Sequence, residues 1–205
     1  MPGEERDPTE ISLVVAPAQF GEFFPILLRG FHVAARVPCT VRDLLCDQFG
    51  LSPDYAATRI TTIFLDGKAT DDIDEALVRD RSTVALSAAM PGLVGATMRR
   101  GGFYAALRGA ITHRENGDAG ASQDGMVRIK LFNMLLRELG PPFLARGIFL
   151  NQSDLADFFR TMSDHFRRGC SEARVNGMRV VPASLQDGGF LPNGEPVRFS
   201  VEFGE

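Results

Sequence analysis

The sequence predicts an α+β protein made of two tandem units, each a mixed sheet curled around one main helix. Three observations carry that expectation. Both halves of the 205-residue chain run in the order strand, strand, helix, strand, strand. Matched features recur at an offset of about 110 to 113 residues, pairing Thr40 with Asn151, Asp66 with Asn176 and Val84 with Val197. Between the halves, ENGDAGASQDG (residues 115–125) has no apolar periodicity and reads as a flexible linker. The expected boundaries are 10–95 for the first unit, 96–125 for a basic segment and linker, and 126–205 for the second unit.

In the first half, ISLVV (residues 11–15) opens as a short strand. FHVAARV (31–37) alternates, with Phe31, Val33, Ala35 and Val37 on one face. TVRDLLCDQFG follows as a helix. Thr40 and Asp43 form an acidic version of the capping box, Val41, Leu44, Leu45 and Phe49 share one face, and Gly50 is the terminator. ITTIFLDGKAT is a strand that turns at Asp66-Gly67, a pair suited to positive φ, and STVALSA closes the half as a strand.

In the second half, MVRIKLF sets Val127, Ile129 and Leu131 against Arg128 and Lys130. FLARGIFL is expected as the second strand. NQSDLADFFRTMSDHF has capping residues in Asn151 and Ser153 and places Leu155, Phe158, Phe159, Met162 and Phe166 at helical spacing. EARVNGMRVV turns at Asn176-Gly177, and LPNGEPVRFSVEF ends as a strand.

Composition narrows the function. The chain is 44% hydrophobic and 23% charged, with a net charge of −4, which argues against a whole-surface nucleic-acid binder. No apolar run reaches the roughly 18 residues a membrane helix needs, so no membrane association is expected. MPGEERDPTE is acidic where a secretory signal would be basic and then apolar, which points to the cytoplasm. Cys39, Cys46 and Cys170 form no CxxC pair and are expected as reduced thiols.

Both halves resemble the β-grasp sulfur carriers, the MoaD and ThiS proteins, which share their fold with ubiquitin. In the second half the likeness lies in VRIKLFNMLLRELG, the helix from Asn151 to Phe166, RVNGMRV and LPNGEPVRFSVEF. In the first it runs through TVRDLL, IFLDGK, STVALSA and PGLVG. The resemblance implies a terminal Gly-Gly on a thin tail, adenylated by an ATP-using partner and converted to a thiocarboxylate. This chain departs from that pattern. Its second half ends FSVEFGE, and its first has PGLVGA, where Ala96 replaces the second glycine. The carrier-tail-like residues are Pro91, Gly92, Gly95, Gly101 and Gly102. The Gly101-Gly102 pair is joined to Phe103 by an amide, so no carboxylate is free there.

The segment RRGGFYAALRGAITHR (99–114) offers Arg99, Arg100, Arg108 and Arg114 beside Phe103 and Tyr104 as a surface for an anion or a partner. Its bland reading is a helix that packs Phe103, Tyr104, Leu107 and Ile111. Asp66, Asp71, Asp72, Asp74 and Glu75 lack the spacing of an EF-hand loop and are expected as a solvated acidic face. His32, His113 and His165 show no metal spacing, and no phosphate-cradling glycine motif is present. No catalytic residue, metal or cofactor is expected. The reading is a non-enzymatic adaptor that binds another protein, its acidic loop and basic strip forming two patches of opposite sign. An adenylating enzyme is a partner only if the chain is cleaved after Gly102 to make a latent carrier. A third reading is a nucleotide- or RNA-binding module on residues 99–114.

Overall fold

The first expected strand, β1 (Glu10–Val15), alternates in burial and sends Ile11, Leu13 and Val15 into the core. The structure is a computed structural model and describes residues 8–89, 92–102, 121–187, 189, 191 and 195–204. It is a mixed α and β protein whose chain divides into two compact units, Met1–Phe31 with Gly140–Glu205, and His32–Leu139.

The His32–Leu139 unit is built on β2 (Phe31–Val37), β4 (Thr62–Leu65), β5 (Lys68–Ala69), β7 (Thr83–Ser87) and β8 (Gln123–Phe132), in the spatial order β2-β8-β7-β4-β5. β7 and β8 run parallel, and β4 is antiparallel to both β7 and β5. β3 (Cys39–Thr40) and β6 (Leu77–Val78) form a separate two-stranded ladder. The helix expected after β2 is present. Thr40 N–H donates to Asp43 Oδ2 at 3.2 Å and Asp43 N–H donates to Thr40 Oγ1 at 3.0 Å, the reciprocal pair that the sequence predicts. This helix widens over Asp43–Gln48, where Phe49 N–H reaches Leu44 O, and Val41, Leu44 and Leu45 are fully buried. Two short helices complete the unit's first part, α2 (Pro53–Thr58) and α3 (Gly92–Met98).

The other unit holds β1, α1 (Phe24–Arg29), β9 (Ile148–Leu150), α5 (Gln152–Arg160), α6 (Asp164–Gly169), β10 (Cys170–Val175), β11 (Met178–Val180) and β12 (Val197–Phe203). Its sheet order is β11-β10-β1-β12-β9, with β1 parallel to β12 and antiparallel to β10. Phe23, Phe158, Phe159, Phe166 and Phe199 form its aromatic core.

These units do not follow the boundaries 10–95 and 126–205. Ile11–Val15 was expected with residues 31–95 and instead pairs with β10 and β12. Met126–Phe132 was expected with residues 148–203 and instead lies between β2 and β7. The first strands of the two halves are exchanged. The physical reason is that ISLVV and VRIKLF carry the same period-two apolar pattern, so each fits the central parallel position of either sheet. The expected match of Val84 with Val197 follows the same shift: β7 borders the outer hairpin of its sheet, whereas β12 lies one strand further in, beside β9. The 96–125 segment is described only at residues 96–102 and 121–125.

Two element assignments also change. FLARGIFL is not one strand: α4 (Met134–Arg146) runs through Pro141 and Pro142, and only Ile148–Leu150 is extended. Buried Leu135, Leu136, Leu139, Phe143 and Leu144 follow helical spacing. Gly147, at φ +92, ends the helix and donates to Phe143 O and Leu144 O. The helix expected over Asn151–Phe166 is two, because Ser163 caps a new one by accepting from Phe166 N–H at 3.0 Å.

Candidate functional site

A concave surface of the His32–Leu139 unit lies on the outward face of β4, β7 and β8. Strand register explains its shape. Ala85 of β7 faces Phe64 of β4 on one side and Lys130 of β8 on the other, and Ser87 faces Phe132. Small side chains on the middle strand therefore form a floor between Phe64 and the Lys130–Phe132 wall. The resulting groove has a volume of about 780 Å³, within the usual range for a binding cleft. Phe132 is 42% exposed. Lys130 makes no hydrogen bond or ion pair within the described residues. The ends of the groove are polar and already engaged. Asp66 accepts from Thr83 N–H at 2.7 Å and from Ser82 Oγ at 3.0 Å, while Asn133 Nδ2 donates to Ser87 Oγ at 3.1 Å. The sequence displayed Lys130 as a solvent-side residue, but the groove depends on neighbours that only the register supplies.

The residues singled out from the sequence lie elsewhere. Gly92 and Gly95 belong to α3, Gly92 at φ +75 and Gly95 buried, so this stretch is helical. Pro91 lies outside the described residues, as do Arg108, Arg114, Phe103, Tyr104, Leu107, Ile111 and His113. Arg99 is exposed, and its backbone carbonyl accepts from Gly102 N–H at 3.2 Å. Arg100 turns inward: its N–H donates to Thr61 O at 2.8 Å and its guanidinium to Ala56 O at 2.6 Å. Gly101 takes φ +59 in the turn that follows. Arg100, the residue before the diglycine, is thus held at Thr61 and Ala56.

Arg100 also meets the acidic loop. With Arg42, Asp71 and Asp74 it lines a shallow cavity of about 540 Å³. Burial works against the Arg100 charge and the Asp71 carboxylate supports it. Arg42 grips Asp74 through two guanidinium nitrogens, and Asp72 Oδ1 accepts from the N–H groups of Asp74 and Glu75. Of the expected basic strip, Arg100 alone among the described residues lines this cavity with Asp71, Asp72 and Asp74 of the acidic loop.

No group of three or more His, Cys, Asp or Glu side chains among the described residues is placed to hold a metal ion. Cys39, Cys46 and Cys170 are free thiols. Burial, then Asp43, pushes Cys39 up to about 11, and burial raises the other two, the opposite of thiolate activation. His32 is pushed down by burial and by nearby Arg128. No helix among the described residues is long and apolar enough to cross a membrane. No family model, curated protein or solved structure matches the chain.

Proposed function

We propose that the chain is a non-enzymatic tandem β-grasp protein, related to the sulfur carriers, that works as a protein-interaction adaptor in the reducing cytoplasm. The likeness to that fold is supported by the order of strands in each unit. Each sheet has an outer hairpin turning at Asp66-Gly67 or Asn176-Gly177, then a central parallel pair, then a strand that leads into a helix. Three free thiols suit a reducing compartment.

The observation that carries the adaptor reading is the groove over Ala85. An apolar floor between two phenylalanines, with an ammonium at one wall that has no partner among the described residues, fits a protein segment that brings an apolar side chain and a carboxylate. Ala85→Trp fills the groove and Lys130→Glu reverses its charge. Both variants are expected to melt within a few degrees of the parent and to lose the protein that co-purifies with the untagged chain from its own source. An unchanged set of co-purifying proteins would remove this face from the reading. Denaturing intact mass tests the carrier alternative on the same material: a 22.4 kDa species fits the adaptor, and a fragment ending at Gly102 would establish a processed carrier, with an adenylating enzyme as its partner.

A further inference from the structure

We infer that the cavity between α1 and α5 is a binding site for a small apolar ammonium ion, with the charge at the mouth and the hydrocarbon in the recess. This site lies in the unit formed by residues 1–31 and 140–205 and does not depend on the adaptor reading. Its volume is about 390 Å³, enough for an alkylamine or phenylalkylamine and too small for a folded segment.

Its parts are sorted by depth. The floor is Ile26, Phe158, Met162 and Phe166, each at most 8% exposed. Phe158 and Phe166 meet edge to face, 5.7 Å between centroids, and Phe23 backs both. That stacking fixes the recess in shape before any ligand arrives. The mouth is charged. Glu22 is exposed, and the Asp154 and Asp157 side chains are 28% and 52% exposed.

The charge at the mouth is unbalanced. Asp154 pairs with Arg29 at 2.6 Å and Asp157 with Arg160 at 2.9 Å. Glu22 makes no ion pair within the described residues. Among the described residues the lining holds three carboxylates and the Arg29 guanidinium, and Arg160 neutralises Asp157 from outside it, which leaves one negative charge beside an apolar recess. A neutral ligand would leave that charge unmatched, and an anion would meet repulsion. A singly charged cation with an apolar body complements both layers at once. The two existing ion pairs are solvent-exposed and weak, so the carboxylates can reorient toward a bound ammonium.

Titration calorimetry of the full chain at low salt, with hexylammonium, 1-hexanol and hexanoate as probes, tests the assignment. Hexylammonium is expected to bind at least 10-fold more tightly than 1-hexanol, with hexanoate undetectable. Glu22→Gln should weaken hexylammonium several-fold. Thr161→Trp, a change at an exposed position on the rim, should abolish its binding while the melting temperature holds. Equal affinity for all three probes, or ammonium binding indifferent to both variants, would place binding elsewhere and overturn the proposal, as would no binding at millimolar concentration. A tetralysine peptide that binds more tightly than hexylammonium, with the same sensitivity to both variants, would reassign the mouth to a basic protein and equally overturn the small-amine assignment.

Discussion

Glu138 shows how much a single side chain can report. It accepts from Tyr55 Oη at 2.6 Å and from Arg59 Nε at 3.0 Å. The Arg59 and Tyr55 hydrogen bonds hold its carboxyl at about 2, below the usual 4.5. Because the fold favours the charged form, the contribution is complete above the ordinary carboxylate range and is lost as pH falls from about 4.5 toward 2. Between about pH 5 and pH 3 the parent protein should lose more melting temperature than Glu138→Gln. Parallel curves would remove Glu138 as a source of acid sensitivity. Nothing in MLLRELG announces this role, since its partners lie about 80 positions earlier in the sequence. By contrast, the Thr40–Asp43 cap and the Asp66-Gly67 and Asn176-Gly177 turns were legible, because such features are complete within four residues.

Elements are legible where one period dominates. Seven of the expected strands alternate or carry a turn pair, and they appear near the expected positions. FLARGIFL misleads because a short apolar run has no period of its own. The adjacent Pro141-Pro142 also argues locally against a helix, yet α4 runs through both prolines. What stops α4 is Gly147. At φ +92, with the Arg198 guanidinium about 3.0 Å from where a Cβ would stand, alanine there must both strain the backbone and displace Arg198. Gly147→Ala should cost on the order of 1–3 kcal/mol of unfolding free energy by denaturant titration. A cost near zero would mean that the helix end relaxes freely.

At the scale of the molecule, the mixed α and β class was readable and the partition of the strands was not. A period-two strand declares which of its faces is buried, but not which sheet accepts it. The exchange makes a clear prediction. A fragment of residues 10–95 lacks β8, the strand between β2 and β7, and a fragment of residues 126–205 lacks β1, the strand between β10 and β12. Each alone should give a disordered amide spectrum. Each sheet would otherwise be split at a central position, exposing two edges and half its apolar face. Fragments 1–102 and 103–205, mixed from denaturant, should regain the dispersion of the intact chain. Independent folding of 126–205 would show that β12 and β9–β11 manage without the donated strand.

The same topology bears on the Gly101-Gly102 pair. Hydrolysis after Gly102 would yield a left-hand piece keeping β1 and a right-hand piece keeping β8, each still woven into a sheet made mostly by the other. Such a nick would shorten the polypeptide without dispersing it. Native mass would stay whole, and only a denaturant would reveal the break.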